Sequence, residues 1–243
     1  MIIRRILEDL LFIEQQDHAA LSAAIMAEWR LGGLPDHPHR AAILLATREH
    51  DSGWREEDAM THVGEAGEPL DFLSVPPTVK QRIWPRAVAR VAALDPYAGA
   101  LVAQHALSLH GQQQTEPAWR PFLRQIEQIQ GDLLARCAPG AAGSIADDYR
   151  FVQAGDQLSL VFCHGSTASF ARPGGCVLLE HAVLIVTPDP FEGRRIPLRV
   201  PARRLPFRTF GSERELRAAL DAAPVENVQG EAQGNGQQVA GKV

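Results

Sequence analysis

A chain of 243 residues with 45% hydrophobic content can bury a sizeable core, which excludes a disordered protein, and its net charge of -5 argues against a dedicated nucleic-acid binder. Three cysteines, Cys137, Cys163 and Cys176, have no metal-type spacing and suggest neither a disulfide framework nor a zinc ribbon, so a reducing compartment is expected.

The opening "MIIRR" and "DLLFIE" read as two short strands of a hairpin over residues 1–14. Acids interrupt that apolar stretch before a signal-peptide core forms. Asp17 caps a helix on which His18, Leu21, Ile25 and Trp29 recur at helical spacing. The loop "GGLPDHPHR" leads to a helix, "RAAILLATREH", that Gly53 is expected to end. Between Trp54 and Pro77 no period is visible, which predicts a long ordered loop. Thr78 and Gln81 form a capping box for a helix that Pro85 should kink or restart. Asp95-Pro96 starts another, with Leu101, His105 and Leu109 on one face before Gly111.

Further helices are expected over about 117–136 and about 146–163, the latter aligning Tyr149, Val152, Asp156, Leu160 and Cys163. After Gly165 come strand-like pieces, "VLLEHAVLIVT", "RRIPLRV" and "FRTFG", and a helix begins at Ser212 with a capping box to Glu215. No apolar run approaches the roughly 20 residues that cross a bilayer. The expectation is a mainly α, single-domain, cytoplasmic protein over residues 1–222, bacterial in its Ala/Arg-rich style. A helical core (15–165) would precede a β-rich segment (166–222), with a small antiparallel sheet made by the N-terminal hairpin and the late strands. Residues 223–243 are polar and predict a disordered tail.

Four helices each place a metal-capable residue on the apolar stripe: His18, the pair His50-Asp51, His105 and Asp156. A buried carboxylate costs several kcal/mol unless paired or bound to a cation, so a shared divalent metal ion would account for them all. Adjacent helical residues point about 100° apart, so His50 and Asp51 can reach one ion only where their helix ends. Imidazole and carboxylate donors without thiolate suit Fe, Mn, Co, Ni, Zn or Mg.

The order His18, His50-Asp51, Asp156 resembles the HD-domain superfamily of metal-dependent phosphohydrolases. The stretches "QQDHAAL", "EHDSGW", "PYAGALVAQH" and "YRFVQAGDQLSLVFC" resemble an uncharacterised bacterial family, domain of unknown function 3891. The resemblance implies an HD-domain-like helical bundle in which His18, His50, Asp51 and Asp156 hold one metal, with Asp51 able to bridge to a second. Two-metal members supply two more histidines between the pair and the late Asp. Here His105, His110 and His62 are available, without the family's spacing. The lysine that often follows the pair is replaced by Ser52-Gly53-Trp54.

The implied activity is metal-dependent hydrolysis of a phosphate ester or nucleotide-like small molecule, an anionic substrate, with neither nucleic acid nor membrane as partner. His105 would be an additional ligand or phosphate contact. Asp58, or Glu56 or Glu57, would act as general base or as a group behind the ligands. The alternatives are a di-iron oxygenase of the same superfamily and a protein that binds metal or ligand without turnover. His37 and His39 read as exposed loop residues, and the basic run Arg194, Arg195, Arg199, Arg203 and Arg204 as a solvated strand face.

Overall fold

The computed structural model describes residues 1–165, 170–172 and 175–235. Two apolar pentapeptides, β1 (Ile2–Ile6) and β2 (Asp9–Ile13), form a hairpin whose register pairs Ile2 with Ile13. The other edge of β2 pairs antiparallel with β6 (Ile196–Pro206), Leu10 opposite Leu205. Along β6, Ile196, Leu198, Val200 and Ala202 turn inward while Pro197 and Arg199 face out, the period of two that a sheet with one buried face imposes.

The fold class expected from the sequence needs correction. The sheet is neither small nor antiparallel throughout: it is a curled, mixed sheet of seven strands in the order β1-β2-β6-β7-β5-β4-β3. Its far half is β3 (Phe170–Arg172), β4 (Gly175–Glu180) and β5 (Val183–Thr187), joined antiparallel, and β5 runs parallel to β7. A small sheet beside an HD-like bundle is therefore not the architecture.

The strand β7 (Val225–Gly234) occupies the stretch expected to be a disordered tail. It pairs along eight residues of β6, from Arg203 opposite Val225 to Ile196 opposite Ala232. A strand flanked on both sides satisfies its backbone through the ladder whatever its side chains are, so polar composition did not forbid it. The side chains also find partners: Arg204 meets Glu226, Arg195 meets Glu231 and Arg199 donates to Asn227. Residues 236–243 of the expected tail lie outside the described residues.

The helices are α1 (Gln15–Ala27), α2 (Arg40–Glu49), α3 (Arg55–Met60), α4 (Pro77–Ala92), α5 (Pro96–His110), α6 (Arg120–Leu134), α7 (Ala141–His164) and α8 (Glu213–Ala222). Two of them, α1 and α7, pack on each other, on α2 and on the sheet, and α5 touches α2, α4, α6 and α7. One core runs from Ile25, Met26 and Phe162 to Val200 and Leu184. Burying a side chain such as Phe162 contributes about 2 to 3 kcal/mol. A smaller cluster, including Phe12, Leu205, Phe210, Leu216 and Leu220, seats α8. No described helix is long and apolar enough to cross a membrane.

Local expectations fail where packing overrides sequence. The stretch after Asp51 is not all loop: a 3₁₀ turn, Ser52–Trp54, leads into α3. Pro85 sits inside α4, which continues through it. Buried Ile83, Trp84, Ala87 and Val88 anchor both sides, offsetting a proline cost of about 3 kcal/mol. That helix starts at Pro77, with no side-chain cap from Thr78. The longest helix, α7, starts at Ala141 rather than near 146. "FRTFG" lies beyond the end of β6 and is not a strand.

Candidate metal centre

Three packed helices build the site. His18 lies one turn into α1, Asp156 in the second half of α7, and His50-Asp51 just past the last residue of α2. At Asp51 the backbone leaves the helical path, with φ -100° and ψ 13°, so two neighbours that a helix would splay apart face one point. Gly53 allows this for a reason other than ending a helix. A Cβ there would lie 2.0 Å from the carbonyl oxygen of Ile83, so the turn can rest directly on α4. Beside Asp156, a Cβ on Gly155 would meet Met26 at 2.7 Å and Thr47 at 2.9 Å, which lets α7 approach α1 and α2.

Four donor atoms converge. His18 Nε2 lies 3.1 Å from Asp156 Oδ1 and 3.6 Å from Asp51 Oδ2. His50 Nε2 lies 3.4 and 3.5 Å from the same two oxygens, and 3.3 Å from His18 Nε2. For metal–donor bonds of about 2.0 to 2.2 Å, neighbouring ligands stand about 2.8 to 3.6 Å apart across octahedral to tetrahedral geometries. The residues present therefore fit a divalent cation, whose charge would balance the two carboxylates.

The tautomers agree with that reading. His50 Nδ1 is 2.7 Å from the Thr47 carbonyl, so it carries a hydrogen and leaves the Nε2 lone pair facing the site. His18 Nδ1 contacts Ser159 Oγ, which is 2.7 Å from Ser22 Oγ, and Ser22 donates to the His18 carbonyl at 3.1 Å. With that hydroxyl proton committed, the Ser159 hydroxyl has Ser22 and, at 3.2 Å, the Asp156 carbonyl as acceptors and receives the hydrogen of His18 Nδ1, so the second Nε2 lone pair also faces inward.

Electrostatics shows the same demand for positive charge. Burial works against charge on His50, but Asp51 and Asp156 outweigh it and hold the imidazolium up to about 9. Burial would also raise Asp156, yet bonding to His18 and His50 brings it well below the usual carboxylate range. Asp51 is raised, chiefly by burial.

His105 completes a second trio with His50 and Asp156, the three offering donor atoms within 4.8 Å of one another. Its Nδ1 is 3.1 Å from Tyr149 Oη, its ring centroid is 4.9 Å from that of His50, and burial pushes its pKa down to about 3, so it stays neutral. All five residues proposed as ligands, His18, His50, Asp51, His105 and Asp156, thus meet at one place.

The other sequence candidates do not join them. Asp58 accepts from the Met1 amine and from Gln15 N–H, so one of its oxygens holds the start of β1 and the other the start of α1. Glu56 is bound to Arg90, and Glu57 to Arg82, Arg86 and His62. His110 accepts from Trp84 Nε1 at 3.0 Å and faces Gln113 Oε1 at 3.0 Å, leaving no lone pair for a metal. A further group, His37, His39 and Asp148, also lies within 4.8 Å. There Asp148 Oδ2 takes hydrogens from Tyr97 Oη and His39 Nδ1, and His37 Nδ1 accepts the His39 N–H, so the group works as a hydrogen-bonded tie.

A cleft of about 260 Å³ opens beside the five residues, and Asp51, His105 and Asp156 are among the residues that line it. Trp54, Phe72, Trp84 and Leu109 form its apolar walls, and Lys80 supplies a cation. Gln15 also lines it. Sequence reasoning passed over Gln15, Ser22, Ser159 and Lys80. Ser22 and Ser159 follow His18 and Asp156 by four and three residues, a spacing that puts them on the ligand faces.

The site is a buried His/Asp cluster, carried on helices and able to hold a metal ion. Residues 1–207 match the model of a family described as a protein of unknown function, DUF3891, and the chain belongs to that family. No curated protein and no solved structure matches it.

Proposed function

We propose that the chain is a metal-dependent hydrolase with the ligand order of the HD-domain superfamily, acting on a small phosphate ester or related anion through His18, His50, Asp51 and Asp156. The observation that carries this reading is the set of contacts of 3.1 to 3.6 Å among two imidazole nitrogens and two carboxylate oxygens. The chain order of these residues, the same as in that superfamily, supports it. A divalent cation here supplies Lewis acidity and a bound water acidified toward neutrality. The chain's own residues bind and shield the substrate: Lys80 attracts its anionic group, and Trp54, Trp84 and Phe72 exclude bulk water. His105, kept neutral by burial, offers a nitrogen to a second ion or to the substrate.

That extra nitrogen also favours a second reading, a di-iron oxygenase working on a small molecule. Elemental analysis of the purified protein beside His50→Ala, with assays on p-nitrophenyl phosphate and its diester, tests the first reading. Metal and hydrolysis should both disappear in the variant, and equal metal in the two proteins would remove the proposal. Iron as the bound metal, with oxygen consumption and no hydrolysis, would transfer the assignment to the oxygenase.

A further inference from the structure

Gln15 is the first residue of α1, one turn before His18 on the same buried face, and its backbone N–H is fixed by Asp58 Oδ2 at 2.7 Å. The residue is 1% exposed, it lines the cleft beside Asp51 and Asp156, and its Oε1 has no hydrogen-bond partner and no contact with solvent. A buried amide oxygen left in this state is costly, and native proteins rarely keep one without a use. The protein itself supplies no hydrogen donor to this oxygen, and the cleft that Gln15 lines is where one can be held.

We propose that Gln15 is a positioning residue whose Oε1 accepts a hydrogen from water held on the cleft side of the metal centre. The inference rests on the metal reading above. Gln15 lines the cleft together with Asp51, His105 and Asp156, the side on which a substrate would meet that water. On an octahedral ion such as Mn²⁺, four protein donors would leave positions for water, and a neutral acceptor beside them would orient that water without competing for the ion.

The test compares metal-free and metal-loaded thermal unfolding of the full chain, with Mn²⁺ or Co²⁺ as the probe, in wild type, Gln15→Met, Gln15→Glu and His50→Ala. Gln15→Met keeps the volume and removes the acceptor, so its metal-free form should melt no lower than wild type, and its metal-induced rise in Tm should be less than half the wild-type rise. Gln15→Glu should show a larger rise than wild type, and His50→Ala none. A full wild-type rise in Gln15→Met would overturn the role given to Gln15 and leave the metal centre standing. Should Gln15→Met fail to fold, a rise in Gln15→Glu no larger than in wild type overturns it equally. If wild type itself shows no rise with either metal, both readings fall together.

Discussion

The Nε2 atoms of His18 and His50 lie 3.3 Å apart, each within 3.6 Å of an oxygen of Asp51 and of Asp156. Two lone pairs at that separation repel unless positive charge lies between them. The outer partners of both rings, the Thr47 carbonyl for one and Ser159 for the other, turn the lone pairs inward. The arrangement is stable with a cation in the gap, or with protons in its absence, and the Ser159 contact is the part of it that is simplest to remove.

Ser159→Ala deletes the acceptor for His18 Nδ1 and leaves every donor atom of the centre in place. Loss of such an outer partner typically weakens metal binding about 10- to 100-fold. Competition with a chromophoric chelator should show a loss in that range, and unchanged affinity would mean that Ser159 does not orient the ring.

Gly53→Ala tests how tightly the His50-Asp51 turn rests on α4. The added methyl would meet the backbone of Ile83 at 2.0 and 2.8 Å, and neither atom can swing aside as a side-chain tip can. Overpacking of this kind costs about 1 to 3 kcal/mol or more. The variant should melt several degrees lower and bind metal more weakly, because the turn that carries two ligands is displaced. An unchanged Tm would show that α4 yields freely.

Glu57 sets part of the acid limit of the fold. Burial would raise its pKa, but bonds from Arg82 and Arg86 together with His62 leave it lowered from 4.5. A carboxylate depressed in the folded state contributes stability that is fully present above its unfolded value and is lost as pH falls through the folded one. Urea unfolding should show wild type losing stability below about pH 4.5. Glu57→Gln should be weaker at pH 7 by about 2 kcal/mol, with a shallower acid limb. Equal acid limbs in the two proteins would show that another group controls the transition.

The ligand positions were legible because a charged or imidazole side chain on an apolar helical stripe is expensive enough to stand out. Asp156 among Val152 and Leu160 is the clearest case. What the stripe cannot display is the direction of a side chain beyond its own helix. Asp58 follows the His-Asp pair by seven residues and looked like a base, yet it turns to Gln15 and the Met1 amine instead. Neutral polar groups such as Gln15, Ser22 and Ser159 raise little alarm at burial, so their part emerged only from distances. The strand β7 was hidden for a third reason, since its pairing is set by β5 and β6, whose partner residues lie 22 or more positions away in sequence.

That strand has a consequence for how the molecule is assembled. Among the described residues the sheet's two wings, β1-β2-β6 and β5-β4-β3, are joined edge to edge through β7, which is also the last of them to leave the ribosome. Until residues 225–234 emerge, the nascent chain carries two unfinished β edges, the kind of surface that recruits neighbouring chains. The family model stops at residue 207, short of this closing piece, so a recombinant product trimmed to that boundary would lack the staple that joins its halves.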